Sequence, residues 1–260
     1  MNVNPGSVTT DYYNDYWTEN PHWMPAAELS SLQRQLFLRL VKPESVVLDL
    51  GCGDGSHYGA ALAQIARAYY GLDVSQVAVD KAGQNGILAQ CHDLGQALPY
   101  PDAMFDTIIC VEVLEHLFDP SFTLSEMKRM LKPTGQIILS VPNIVHLSNR
   151  VRVLLGGFSP GGTPETSSRR QWADPHIRFF TLRTLRAFVA EQNLHIRELY
   201  GEGFGIFSTF PVLSSLAARF VGWRRLESWS HPFEFLARWL PSLCAGHLIA
   251  IVTHKATDAS

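Results

Sequence analysis

The sequence predicts an α/β fold, a seven-stranded, mostly parallel sheet with helices on both faces. Three observations carry this. Short β-branched runs alternate with helically spaced ones, a glycine-rich turn follows the first run directly, and acidic residues close successive runs. Strands buried on both faces read as continuous apolar stretches, and parallel neighbours need a crossover helix between them.

The elements follow in order. Residues 1–25 carry Tyr12, Tyr13, Tyr16, Trp17 and Trp23, more large rings than a bare leader has use for, so they read as a lid or cap strand folded onto the body. Leu29, Leu32, Leu36, Phe37 and Leu40 are spaced as a helix over Ala26–Leu40, stopped at Lys42-Pro43. Val46–Leu50 is the first strand and Ser56–Ala66 a small-residue helix. Ala68–Leu72 is the second strand, and Ser75 caps a helix to Gln84. Ile87–Cys91 and Asp106–Val111 are the third and fourth strands, and Pro120–Leu131 is a helix ended by Lys132-Pro133-Thr134-Gly135. Gln136–Val141 is the fifth strand, Thr181–Gln192 an amphipathic helix, and Leu194–Tyr200 and His247–Thr253 the last two strands. Residues 1–25 thus form a lid on a single domain, 26–260. Residues 144–180, with a Gly/Pro-rich centre that reads as a mobile loop, and residues 201–244 are insertions forming a cap over the substrate.

Composition narrows the class. The chain has 260 residues, enough for one full core, with 46% hydrophobic residues and a net charge of -3. That acidic total and the lack of a basic stripe argue against nucleic acid as a partner. Cys52, Cys91, Cys110 and Cys244 form no CxxC pair and read as buried reduced thiols. With no secretory signal and no spanning apolar window, the expected location is cytoplasmic.

The turn Asp49-Leu50-Gly51-Cys52-Gly53-Asp54-Gly55 places backbone close to a ligand. Its spacing is GxGxG rather than the dinucleotide GxGxxG, and its two carboxylates repel a pyrophosphate but suit a sulfonium and an α-amino group. Asp73, about 20 residues on, ends the second strand where a carboxylate can bind both ribose hydroxyls. Asp93 follows the third strand, placed to accept from an exocyclic adenine amine. A nicotinamide dehydrogenase is the rival that this acidic turn opposes.

With VVLDLGCGDG, YYGLDVS, HDL, PDAMFDTIICVEVLEHL and LKPTGQIILSVPN in place, the chain resembles the class I, Rossmann-like methyltransferase family over about residues 40–200. VPNIVHLSNRVRVLLGG and DPHIRFFTLRTLRAF are similar to the MetW-like and ubiquinone O-methyltransferase-like branch. The leader YYNDYW with NPHW looks more like methyltransferases of glycan and natural-product pathways. The resemblance implies S-adenosyl-L-methionine as cofactor. It implies that Gly51, Gly53 and Gly55 line the methionine moiety, that Asp73 binds ribose, and that Asp93 and Leu94 hold adenine. Asp49, Cys52 and Val74 complete the cofactor set. Val111 and Glu112 border the methyl-donating centre, and Tyr12, Tyr16 or Trp17 closes over it. The implied acceptor is a small molecule, glycan or natural-product intermediate, methylated on oxygen. The rivals are an RNA 2′-O-methyltransferase and a MetW-like, non-catalytic cofactor-binding partner.

Methyl transfer from a sulfonium is governed by positioning, and a base is needed only for a poorly ionised hydroxyl. Spacing of three and four puts Glu112, Glu115 and His116 on one helical face. His176 matches the later histidine of relatives that pair such an ExxEH with a metal. Glu115, His116 and His176 are the catalytic candidates; Glu112, Glu115, His116 and His176 form a metal set that is not the favoured reading. His146 lies near the pocket mouth. Arg150, Arg152, Arg169, Arg170, Arg178, Arg183 and Arg186 face only Glu165 and Asp174 across residues 144–186, and Arg169, Arg170 and Arg178 are candidates for an anionic acceptor. Residues 206–240 mix aromatics with basic residues; a cap or homodimer surface is favoured over peripheral membrane contact.

Overall fold

A computed structural model describes residues 5–19, 31–157, 175–203 and 234–255. Its core is one seven-stranded sheet. Strand β1 (Val46–Leu50) is buried at all five positions, as a central strand covered on both faces must be. It pairs in parallel with β2 (Ala68–Asp73) on one side and β4 (Phe105–Val111) on the other. Strand β3 (Leu88–Cys91) extends the sheet beyond β2, and β5 (Leu131–Pro142) lies parallel to β4. Strand β7 (His247–His254) then enters antiparallel to β5, with β6 (Leu194–Glu202) antiparallel to it at the edge, giving the order β3-β2-β1-β4-β5-β7-β6. The expected seven strands and mostly parallel pairing are both present.

Helices cover the two faces. On one, Leu36, Phe37 and Leu40 of α2 (Ser31–Leu40) and Leu62 of α3 (Gly59–Ala63) pack on Val47, Ile109, Ile138, Ile249 and Ile251. On the other, Leu124, Met127 and Met130 of α5 (Pro120–Met130) and Leu185 and Val189 of α7 (Leu182–Glu191) pack on Leu48, Ile108, Cys110 and Leu139. Each fully buried aliphatic chain contributes about 2 kcal/mol by leaving water. Caps place the helices. Ser75 accepts from Ala78 N at the start of α4 (Gln76–Gln84), Asp119 accepts from Phe122 N ahead of Pro120, and Thr181 and Thr184 form a reciprocal capping box on α7.

Five expectations change. The aromatic N-terminal segment is a helix, α1 (Pro5–Glu19), rather than a cap strand: its rings recur on one side, and it lies on α4 through Ser75 Oγ to Asn14 Oδ1 at 2.8 Å and Lys81 Nζ to the Trp17 carbonyl at 2.7 Å. The helix expected over 56–66 shrinks to α3, since the glycine turn extends past Gly55. The supposed breaker Lys132–Gly135 lies inside β5, whose register to β4 is irregular between Phe105 and Thr107. Cys91 is exposed, whereas Cys52, Cys110 and Cys244 are buried. Within the expected loop 144–180, α6 (Leu147–Leu154) forms, and α8 (Glu234–Trp239) and α9 (Pro241–Cys244) occupy the end of the second insertion. Trp23 and residues 158–174 and 204–233 lie outside the described residues.

Asn143, 1% exposed, closes β5. Its Nδ2 donates to the carbonyls of Pro241, Ser242 and Ala245, the nearest at 2.8 Å. Asn143→Ala leaves the buried Ala245 carbonyl short of its donor and is expected to lower unfolding free energy by about 1–3 kcal/mol, read by urea titration. An unchanged midpoint would contradict this.

Candidate active site

The carboxyl ends of β1, β2, β4 and β5 form one rim, and β7 starts there. After β1 the chain reverses through Gly51 and Gly53, with φ of +72° and +53°, which a side chain strongly disfavours. Space imposes the same choice: a Cβ on Gly51 would meet Val113 Cγ2 at 2.3 Å, and one on Gly53 would meet the Trp17 ring at 2.6 Å. Backbone N–H groups of Gly51 and Cys52 donate to the Leu72 carbonyl, tying the turn to β2.

Asp73 locks that turn. Its Oδ2 accepts from Gly53 N and its Oδ1 from Ser75 N, both at 2.9 Å; burial raises its pKa and these N–H groups oppose the rise. Each oxygen keeps a second lone pair. Asp49, 1% exposed, accepts from the Tyr69 hydroxyl at 2.8 Å and the Tyr58 hydroxyl at 3.2 Å; burial pushes it up to about 7. It braces the turn through two phenols. Asp93 is exposed and accepts from Gly95 N at 2.9 Å, while Leu94 beside it is buried and Val74 half-buried. Above the turn, α1 places Tyr16 and Trp17 edge-to-face and Tyr13 edge-on to His116, with Tyr12 partly exposed.

Past β4 the helical arithmetic fails. Glu112, next after Val111, has a φ of +54°, so the chain turns through the left-handed region before a single 3₁₀ turn, Leu114–His116. Glu112 therefore does not share a helical face with Glu115 and His116. Its N–H donates to the Ser140 carbonyl at 3.0 Å, its Oε1 accepts from Ser140 Oγ at 2.6 Å, and its Oε2 lies 3.5 Å from His247 Nε2.

Glu115 instead meets the two expected histidines. Its carbonyl accepts from Ile177 N and Arg178 N, which draws in the strand-like segment carrying His176. Its fully buried carboxylate lies 3.8 Å from His116 Nε2 and 3.7 Å from His176 Nε2, and neither oxygen has a donor in hydrogen-bonding geometry among the described residues. The imidazoles lie 4.6 Å apart, and His116 Nδ1 is 3.2 Å from the Pro175 carbonyl. Burial, then the Glu112 charge, pushes Glu115 up to about 7, against the pull of His176. One donor atom from each of Glu115, His116 and His176 falls within 4.8 Å of the others, so three of the four residues of the sequence's metal set converge.

His146 precedes α6 at the same rim, its Nδ1 2.8 Å from Ser148 Oγ; burial, then the His247 and Arg152 charges, pushes it down to about 4. Arg178 donates to the carbonyls of Phe118 and Ile177 and stacks over the Phe118 ring at 5.4 Å, so part of its guanidinium is already engaged. Arg169 and Arg170 lie outside the described residues. His247 and Ser140 were not singled out from the sequence, where one opens an apolar run and the other sits inside one.

A family model described as a methyltransferase domain matches residues 17–199. The chain belongs to this methyltransferase family. Over 105 residues it is 38% identical to a "probable S-adenosylmethionine-dependent methyltransferase" of Mycolicibacterium smegmatis, covering 39% of this chain and 40% of that one. Over 147 residues it is 31% identical to the ubiquinone biosynthesis O-methyltransferase of Coxiella burnetii, covering 52% and 59%. The matches thus span less than two thirds of these curated relatives. Among solved structures, an S-adenosylmethionine-dependent methyltransferase of Thermotoga maritima, titled a possible histamine N-methyltransferase, superposes with a TM-score of 0.63 at 15% identity, over 94% of this chain and 99% of that one. Magnesium protoporphyrin IX methyltransferase of Synechocystis, solved with bound S-adenosylhomocysteine, gives 0.54 at 22% identity, over 76% and 93%. These likenesses establish the Rossmann-like methyltransferase fold. S-adenosylmethionine is the methyl donor of this family, and the side-chain-free turn beside Asp73 fits such a ligand. No helix among the described residues is long and apolar enough to cross a membrane.

Proposed function

We propose that the chain is an S-adenosylmethionine-dependent methyltransferase that methylates an oxygen of a small-molecule, glycan or natural-product acceptor. The observation that carries this is the Glu115–His116–His176 cluster beneath Tyr13, on the rim that also bears the glycine turn. A carboxylate and two imidazoles side by side suit recognition of an acceptor hydroxyl by hydrogen bonds. When bound, the cofactor supplies an activated methyl group. The chain's task is to orient the acceptor in line with it, exclude water and take up one proton. In this reading Gly51, Cys52, Gly53, Gly55 and Asp73 cradle the methionine and ribose parts, with Asp49 bracing the turn. Val74, Asp93 and Leu94 face adenine, Val111 and Glu112 border the reacting methyl, and Tyr12, Tyr16 and Trp17 cover the ligand. His146 and Arg178 are assigned to the acceptor, as are Arg169 and Arg170, which lie outside the described residues. The relative named as a ubiquinone biosynthesis O-methyltransferase supports oxygen as the target. The test is calorimetry with S-adenosylhomocysteine followed by an acceptor screen with methyl-labelled cofactor. Micromolar binding with an O-methylated product is expected; binding without transfer to any acceptor class favours a non-catalytic partner protein, and an N-methylated product removes the oxygen assignment.

A second reading concerns the same cluster. Glu115 presents two buried oxygens without donors beside two imidazoles, a donor set that suits a divalent transition cation. Glu115, His116 and His176 would hold it, and it would act as a Lewis acid toward an acceptor oxygen. Dialysis against EDTA is expected to reduce transfer at least tenfold, with recovery on adding Zn²⁺ or Mn²⁺. Full activity in the chelator would leave the cluster as a metal-free polar group that holds the acceptor.

A further inference from the structure

Glu112 has an unusual setting for a surface-rim carboxylate. A non-glycine residue at a φ of +54° carries strain, and such residues persist where their surroundings hold them. Here two contacts from β5 hold it: the Ser140 backbone carbonyl, which accepts from Glu112 N, and the fully buried Ser140 hydroxyl, which donates to Oε1. The clamp leaves Oε2 aimed across β5 at His247, the first residue of β7, whose side chain is 47% exposed. Cross-strand register sets His247 opposite Pro142 on one side and Glu202 on the other, so it stands at the carboxyl rim where β4 and β5 end. Carboxylate, imidazole and open space in sequence form the arrangement in which a third group orients a base.

We propose that His247, oriented by Glu112, is the general base that takes the acceptor's hydroxyl proton. This rests on the assignment of oxygen as the methylated atom. The acceptor O–H bond breaks with its proton passing to His247 Nδ1, while Nε2–H stays turned to Glu112 Oε2. The oxygen's freed pair forms the bond to the methyl carbon, and the carbon–sulfur pair remains on sulfur, leaving a neutral thioether. The imidazolium that results is balanced by the Glu112 carboxylate. Other groups near His247 are His146, on which Arg152 of α6 also acts, and Glu202, its cross-strand partner on β6. His146 is half-buried, with its Nδ1 2.8 Å from Ser148 Oγ. In this assignment the Glu115 cluster binds the acceptor or a cation, and His247 takes the proton.

Two measurements on the full chain test this. With ¹⁵N-histidine labelling and S-adenosylhomocysteine bound, neutral His247 is expected wholly in the Nε2–H tautomer, and Glu112→Ala is expected to relax it toward the two-tautomer mixture of free histidine. A dominant Nδ1–H form in the wild type, or one tautomer unaffected by the substitution, overturns the orientation by Glu112 whatever the acceptor. With the acceptor found in the labelled-methyl screen, His247→Gln is expected to lower kcat about a hundredfold, with KM and S-adenosylhomocysteine affinity unchanged. An O-methylated product formed at wild-type kcat overturns the base role. A product methylated only on nitrogen or sulfur overturns the oxygen assignment instead, and the tautomer experiment still reports on the pair.

Discussion

Glu115→Gln is expected to stabilise the protein at pH 8 in the presence of a chelator, while lowering methyl transfer at least tenfold. Burial holds the Glu115 carboxyl at about 7 in the folded chain, above its ordinary 4.5. Below 4.5 the group is protonated whether the chain is folded or not, and it contributes no pH dependence. Between 4.5 and 7 the unfolded chain ionises first, so stability falls as pH rises through that window. Above 7 the full cost is present, on the order of 3 kcal/mol. Glutamine carries no charge to bury, so the variant is expected to unfold roughly 5–10 °C higher at pH 8, with the difference vanishing toward pH 4.5. Equal melting at pH 8 would show that the imidazoles already neutralise the carboxylate. Restoring Zn²⁺ or Mn²⁺ in place of the chelator should reverse the order, because only the wild type retains the anionic ligand.

Asp73→Asn is expected to weaken S-adenosylhomocysteine binding by at least a hundredfold, more than the loss of one charge would suggest. Both Asp73 oxygens accept backbone N–H groups, from Gly53 and from Ser75. An asparagine offers one oxygen and one NH₂, so a donor is set against a donor in a buried site whichever way the amide turns. The loss therefore combines the ribose contact with loosening of the glycine turn and of the Ser75 cap on α4. Calorimetry reads the first and the thermal midpoint the second. Near-wild-type affinity in Asp73→Asn would remove Asp73 from the cofactor site.

The sheet was legible because its central strands are buried on both faces. VVLDL and DTIICV carry no polar alternation that could suit a surface, and the turn after the first of them needs its glycines. The Ser75 cap and the Thr181 boundary were legible from local chemistry alone. What escaped depended on distant partners. Nothing in HLIAIVTH states that it runs antiparallel between β5 and β6, since a strand covered on both faces reads alike in either direction. The one-face reading of Glu112, Glu115 and His116 assumed helical geometry that the left-handed turn at Glu112 breaks, and that turn is held by Ser140, 28 residues away. His176 was suggested by likeness to relatives, and its meeting with Glu115 follows from backbone bonds across about 60 residues. The aromatic leader read as a strand because rings favour sheets; α4 and the glycine turn gave them a helical resting place.

The position of β7 bears on how the chain is made. Among the described residues strand β6 pairs in the sheet only with β7, and β7 separates it from β5. While the ribosome is still adding residues short of about 247, β5 presents an apolar open edge and β6 has nothing to pair with. At roughly 5–20 residues per second, the chain between the end of β5 and the start of β7 takes about 5–20 s to make. During that interval the nascent sheet is a template for foreign strands.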